Sequence, residues 1–252
     1  MRIDFHIHAK LSKKTEFNAE HFRQIVEEAR ARGLTAITLT EHFNTHRFDD
    51  VYSSLDDLYP YNGHYYLIDG FRVFTGMEVD VAEGGHILVS GPKDRLLDIR
   101  SELEPHVSLE RFIPLAKLFE LCDSPEMMVI GGHPFRESNP LHHVDENLLR
   151  RFDAFDLNGK DLHEIGIEAN KAKVLGLGQR LNVPVVAGSD AHHLLQAGCV
   201  YNEFDQNFET IAELKQAVRA GAFNRVLSPE LDLQVRAAQM VKKLLKRTME
   251  VA

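Results

Sequence analysis

Short apolar runs alternate with segments of helical period along most of this chain. RIDFHIH (2–8) reads as a strand. NAEHFRQIVEEARARG (18–33) reads as an amphipathic helix: Asn18 can cap it, Phe22, Ile25, Val26 and Ala29 form its apolar stripe, and Gly33 stops it. LTAITLTEH (34–42) is the next strand. Residues 43–66 mix aromatic and acidic positions without a period and predict a long loop holding one short helix. FRVFTGMEVDV (71–81) predicts a strand, turned at Glu-Gly-Gly into HILVSG (86–91). The pattern then predicts a charged connection over 94–106, a helix over 108–122, a strand over MMVIGGHP (127–134), a short helix over 145–152 and a strand over 153–159. Further on it predicts one helix over 161–182, a strand over 183–192 and a helix over 209–223. Pro229 opens a last helix, with Leu231, Leu233, Val235, Ala238, Val241 and Leu244 apolar along it.

Strand–helix repetition at this spacing predicts βα units and a largely parallel sheet. The polar residues select a barrel. Six predicted strands end in His, Glu or Asp: His6/His8, Glu41/His42, Glu78, His133, the 156–158 segment and Asp190/His192. Barrel enzymes collect their chemistry at the C-terminal ends of several strands, whereas a doubly wound sheet concentrates it at one crevice. The fold class expected is α/β, a distorted TIM-like barrel. The domain division expected is one barrel over 1–228 and a C-terminal helix over 229–252, packed on the barrel or at a subunit interface of a homo-oligomer. No GxGxxG or GxxxxGK[ST] phosphate loop is present.

The length, 252 residues, suits one barrel of about 250 residues. The net charge of -9, from 38 acidic and 29 basic residues, predicts no extensive nucleic-acid binding, while a local patch can still hold a phosphate. Fourteen histidines stand against two cysteines, Cys122 and Cys199, so neither a thiolate site nor a disulfide framework is indicated. No cationic-then-apolar leader and no apolar run near 18 residues appears, which predicts a cytoplasmic protein without a membrane partner.

The strand ends carry the chemistry. Residues i and i+2 of a strand point the same way, so His6 and His8 share a face. Glu78 closes an otherwise apolar strand, where a carboxylate needs a cation. His86 follows the Gly-Gly turn, His133 stands in IGGHP, and Asp190 and His192 repeat the i, i+2 spacing in AGSDAH. Individually each has a structural reading; jointly they point to metal chemistry. Imidazole and carboxylate without thiolate suit Zn, Mn or Fe, and this many donors exceed one tetrahedral ion. Two divalent ions would make a cationic centre for an anionic substrate inside an acidic protein. Lys13, Lys14 and Arg136 are candidate phosphate contacts with an equal reading as solvated basic residues.

With DFHIHAKLS, LTEHF, TGMEVDV followed by GGHILVSG, GGHP, and VAGSDAHH in this order over residues 4–193, the chain resembles the PHP (polymerase and histidinol phosphatase) family of metal-dependent phosphoesterases. The resemblance implies a distorted seven-stranded (βα) barrel. It implies hydrolysis of a phosphomonoester or phosphodiester, of a small molecule or nucleotide, at a centre of two or three divalent ions. By matching positions, His6, His8, Glu78 and Asp190 would hold the first ion, and Glu78 would bridge to a second held by His86 and His133. A third would use His42 and His192 and a ligand from the loop after the first strand. There this chain departs from the pattern: the loop offers Lys14, which as an ammonium cannot ligate, with Glu16 as a possible substitute. Glu41 replaces the usual Asp before the histidine. In the implied mechanism Asp190 orients the nucleophile, and His192 or His42 protonates the leaving group if no third ion sits there.

Two other readings stay open. An amidohydrolase-like hydrolase of C–N or C–O bonds also combines HxH strands with an aspartate, although it favours a bridging lysine. A non-catalytic PHP scaffold would keep such residues without turnover.

Overall fold

The computed structural model describes residues 1–251, without the side chains of 249–251. The strands and helices alternate as β1 (Arg2–Ile7), α1 (Ala19–Ala31), β2 (Ala36–His42), α2 (Asp49–Leu58), β3 (Tyr65–Ile68), β4 (Phe71–Asp80), β5 (His86–Ser90), α3 (Lys93–Glu102), α4 (Leu115–Leu121) and β6 (Met128–Gly132). They continue through α5 (Glu146–Leu149), β7 (Ala154–Asn158), α6 (Gly159–Ile165), α7 (Ile167–Leu181), β8 (Val185–Gly188), β9 (Val200–Glu203), α8 (Ile211–Ala220), β10 (Asn224–Leu227) and α9 (Leu231–Val251).

These described strands form one 10-stranded sheet, ordered β10-β9-β1-β2-β4-β5-β6-β7-β8, with β3 paired to β4. The sheet curls into a nearly closed barrel, the distorted TIM-like form expected. Its seam lies between β8 and β1, where His8 N donates to Ala191 O at 2.9 Å and Asp190 N to His6 O at 2.8 Å. Parallel pairing holds for β1–β2, β2–β4, β6–β7 and β7–β8. It fails for β4–β5 and β5–β6, which are antiparallel. The Glu-Gly-Gly turn is too short for a crossover, so β5 must return as a hairpin. This reversal matters for the site, because it puts the first residue of β5, His86, on the rim where the other strands end.

Alternation along the strands divides the core. Ile3, Phe5, Ala36, Phe74, Leu88, Ile130, Ala154 and Val186 fill the barrel interior. The opposite faces, with Ile37, Leu39, Val73, Met77, Val79 and Val129, pack on the surrounding helices. At the far end α8 closes the interior with Ile211, Leu214 and Val218.

Several elements differ from the pattern reading. The charged stretch expected as a connection is largely α3: Leu96 and Ile99 are buried, and Leu103 follows at the same helical spacing. The helix expected over 108–122 starts only after Pro114, and the one over 161–182 breaks at Gly166, whose φ is 99°. The loop expected over 43–66 holds its one helix as α2, but it also runs into β3, which was not expected. Antiparallel β9 and β10, four residues each, were not expected. Among the described residues no helix is long and apolar enough to cross a membrane.

Helix α9 lays Leu231, Val235 and Ala238 against the barrel, with Gln239 Nε2 donating to Glu164 Oε1 of α6 at 2.9 Å.

Candidate metal centre

The strand face that sends Ala36 into the interior also carries His42 to the rim, and the face that carries Phe74 brings Glu78 and Asp80 there. Pairing register sets these side by side: His42 lies across from Glu78 in β2–β4, and Asp80 across from His86 in β4–β5. Strand β1 needs a change of phase. Its register with β2 slips between Asp4 and Ile7, so Ile3 and Phe5 pack inside while His6 and His8 still reach the rim. Asp4 secures the slip, its Oδ1 accepting from His6 N at 3.0 Å and Ser189 N at 2.9 Å. Burial pushes the Asp4 carboxyl up to about 7 against those hydrogen bonds.

Glu78 is at the middle of the cluster. Its Oε1 lies 2.6 Å from His86 Nδ1, 3.2 Å from His133 Nε2 and 3.5 Å from His6 Nε2. Its Oε2 lies 2.7 Å from His42 Nδ1 and 3.5 Å from His8 Nε2. The Nε2 atoms of His6 and His8 are 3.2 Å apart, and Asp190 Oδ1 is 3.2 Å from the latter. The ring of His192 stacks on that of His8 with centroids 3.9 Å apart. Burial opposes the Glu78 charge, but His86, His42 and His6 hold its carboxyl well below the usual range. Asp190 is likewise held low, by Arg136 and His6 against burial. Burial also pushes His42 down to about 4 and His192 well below its ordinary value. Both shifts favour the neutral imidazole, the form that offers a lone pair to a cation.

The backbone is strained at two of these positions. His133 (φ 27°) and Asp190 (φ 59°) both adopt positive φ, uncommon for residues with a side chain. Each lies just past the end of its strand, His133 after β6 and Asp190 after β8, where the chain turns at the barrel mouth.

The donor set fits divalent metal ions. Three groups have ligand atoms within 4.8 Å of one another: His8/His42/His192, His6/His8/Asp190 and His42/Glu78/His86. His42 Nδ1 and Glu78 Oε2 are buried and, although close, make no hydrogen bond. Atoms that converge without bonding to each other are placed for a shared cation, since leaving them unmet is costly.

A layer of polar residues fixes the donors. Asp156 Oδ2 accepts from His6 Nδ1 at 2.9 Å. Asp80 Oδ1 lies 2.8 Å from His86 Nε2, and its Oδ2 accepts from Lys13 Nζ at 2.9 Å and Asn44 Nδ2 at 2.8 Å. Glu41 Oε2 accepts from the backbone of Ala9 and Lys10, and Oε1 from that of His42. Its longer side chain thus ties the loop after β1 to the end of β2. Arg136 donates to Asp161 at 2.8 Å, Asn158 at 3.0 Å and Asp190 at 2.8 Å. The pattern reading marked the polar strand end at 156–158 but gave no role to Asp4, Asp80, Asp156 or Asp161. The i+2 spacing of Asp80 from Glu78 and of Asp156 from Ala154 was the available signal.

A cavity of about 700 Å³ opens over His42, His86, Asp190 and His192, and Arg136 lines it. A second, of about 540 Å³, shares His42 and His192 and reaches Lys13 and Lys14. Lys14 is exposed, and Glu16 lies at the surface beside Arg47, so the loop after β1 brings no carboxylate to His42 and His192.

A family model described as PHP-associated matches residues 170–223, the stretch from α7 through Asp190 and His192 to the end of α8. The match supports a PHP family domain. No curated protein sequence matches. Among solved structures, the barrel resembles PsfC from Pseudomonas syringae PB-5123, with a TM-score of 0.75 and 20% identity over 97% of this chain and 98% of that one. It also resembles the lesion-specific endonuclease PfuEndoQ from Pyrococcus furiosus, with a TM-score of 0.64 and 17% identity over 90% of this chain and 57% of that one. A complex of endonuclease Q with a 27-mer duplex substrate bearing an abasic lesion at the active site has a TM-score of 0.64 and 16% identity, over 90% and 58%. The chain thus spans little more than half of endonuclease Q. This likeness overturns the expectation of no extensive nucleic-acid binding. The net charge of the chain is the wrong measure, because Lys13, Lys14, Arg136 and Lys160 line the mouth locally.

Proposed function

We propose that this PHP domain is a metal-dependent phosphoesterase. One observation carries the reading: five imidazoles surround the buried Glu78 carboxylate within 3.5 Å at the floor of an open cavity. His6, His8, Glu78 and Asp190 would hold one ion, and Glu78, His86 and His133 a second. His42 and His192, with His8 beside them, offer a third position despite Lys14. Zn, Mn and Fe all suit this imidazole and carboxylate set. When bound, such ions supply Lewis-acid stabilisation of charge on the phosphoryl oxygens and an activated water.

The chain's own residues do the remainder. Asp156 and Asp80 fix the tautomers of His6 and His86, so that the opposite nitrogen presents its lone pair. Asp190 orients the attacking group while Arg136 holds it in place and adds positive charge at the cavity wall. His42 and His192 stay neutral, which favours a role as ligands over one as acids. Glu78 stands where a bridging ligand would be needed, a place an amidohydrolase-like centre would give to a lysine, which weighs against C–N hydrolysis.

The ester remains to be chosen by experiment. Endonuclease Q acts on duplex DNA, so the substrates tested should include duplex DNA with an abasic site beside p-nitrophenyl phosphate, bis(p-nitrophenyl) phosphate and nucleotides. The expected result is ester cleavage that requires Mn²⁺ or Zn²⁺, with metal bound in stoichiometric amount, and loss of both in Glu78→Ala. A protein that takes up no metal, or whose Glu78→Ala variant keeps full metal content and activity, would refute the reading.

A further inference from the structure

Every donor of the proposed centre comes from a strand end. Helix α9 begins at Leu231, beyond both the barrel sheet and the matched residues 170–223. It nevertheless reaches the same mouth. Val235, Ala238 and Lys242 are spaced i, i+3 and i+7 and lie on one helix face. The first two are buried against the barrel, so the third is carried over its opening. Lys242 lines both the 700 Å³ and the 540 Å³ cavities, where they meet over His42 and His192.

The charge of Lys242 is uncommitted. Lys13 is paired with Asp80, and Arg136 with Asp161 and Asp190. Lys242 has no ion-pair or hydrogen-bond partner among the described residues, although it is half-buried. An ammonium withdrawn from water without a partner is unfavourable unless an anion joins it.

We propose that Lys242 is a substrate-binding residue: its ammonium holds a phosphate oxygen of the bound ester where the two cavities meet, which makes α9 a wall of the active site. The inference rests on the phosphoesterase reading for the identity of the anion. Burial pushes Lys242 down to about 8, with Asp190 pulling it back up, so it is mostly charged at neutral pH. The three bonds of an ammonium can rotate to meet a phosphate approaching from either cavity.

The test uses the full chain loaded with Mn²⁺, as wild type, Lys242→Met and Lys242→Arg. Calorimetry measures the Kd of inorganic phosphate, and kinetics give kcat and KM for p-nitrophenyl phosphate and bis(p-nitrophenyl) phosphate. Lys242→Met should weaken phosphate binding by about 10- to 100-fold, as loss of a charge-assisted hydrogen bond does. KM should rise more than kcat falls, with metal content and Tm unchanged, and Lys242→Arg should recover most of the binding. Phosphate binding by Lys242→Met equal to wild type would overturn the proposal, as would an equal loss in Lys242→Arg. A wild type that binds phosphate but cleaves neither ester would instead sink the hydrolase reading, while the Kd comparison would still decide the role of Lys242.

Discussion

Asp156 and His6 meet back to back: the carboxylate Oδ2 lies 2.9 Å from Nδ1, on the side of the ring away from Glu78 and His8. With Nδ1 donating, Nε2 is left as a lone-pair donor aimed into the cluster. Burial would lower the basicity of His6, but Asp190, Glu78 and Asp156 raise it well above its ordinary value. The carboxylate field that does so is the field that would attract a metal cation. Asp156→Asn keeps the shape and removes the charge. It should weaken metal affinity by about 10- to 100-fold, the usual effect of losing such an orienting partner. Competition titration against a chelator measures this, and an unchanged affinity would show that His6 needs no orienting carboxylate.

Gly188 sets the space that His6 occupies. A Cβ built there would sit 2.4 Å from His6 Cβ and 2.8 Å from Asp156 Oδ1, both in well-packed interior. Its φ is not the issue; the close approach of β8 to β1 is. Gly188→Ala should therefore cost about 1–3 kcal/mol of stability, as overpacked interiors do. It should also lower metal content by pushing His6 off its partner. Urea unfolding and metal analysis on the same preparation read both effects. As a control, Gly176→Ala, inside α7 with open space around it, should leave metal content unchanged and raise stability by about 0.5–1 kcal/mol.

Much of this arrangement was legible in the sequence because two simple periods carry it. The i, i+2 pairs His6/His8 and Asp190/His192 announced shared faces, and the apolar strands leading to Glu78 and His133 announced a buried rim. What was hidden was long-range. Nothing in RIDFHIH shows that β1 slips its register after Asp4, and nothing near residue 94 distinguishes a solvated charged linker from α3 except the spacing of Leu96, Ile99 and Leu103. The short strands β9 and β10 carry too few residues for alternation to register, and they exist because β1 offers an edge to pair with. Lys242 lies 50 residues beyond His192 in the chain, and only packing of α9 brings the two to one cavity wall.

Asp161 makes a pH-dependent contribution opposite in sign to that of most carboxylates here. Burial raises it to about 6, with Arg136 opposing and Asp190 and Asp156 adding to the rise. Between its ordinary value near 3.8 and about 6, the folded state therefore binds more protons at this site than the unfolded chain does. Its contribution to stability falls as pH rises through that window, and the full cost persists above it. Asp161→Asn removes the titration. Urea unfolding of chelator-treated protein at several pH values from 4 to 7 should show the variant's stability gaining on wild type as pH rises to about 6 and running parallel above it. Curves that stay parallel throughout would mean that Asp161 titrates as it does in the unfolded chain.

Metal removal should reveal how much of the fold depends on the centre. Glu78 Oε2 and His42 Nδ1 face each other in the cluster, buried without hydrogen-bond partners, and each such atom is destabilising until something meets it. An ion that binds only the folded state adds stability as RT ln(1 + [L]/Kd), about 2.7 kcal/mol at a hundredfold excess over Kd. Chelator treatment should thus lower Tm, and readdition of Mn²⁺ or Zn²⁺ should restore it in a concentration-dependent way. Glu78→Gln separates the causes. It removes the carboxylate charge and one metal donor together, so the variant should respond less to metal than wild type, and its metal-free Tm should fall below that of the metal-free wild type because His86, His42 and His6 favour the ionised carboxylate in the fold. Equal Tm values with and without metal in the wild type would show that these donors are satisfied among themselves and would remove the energetic argument for the centre.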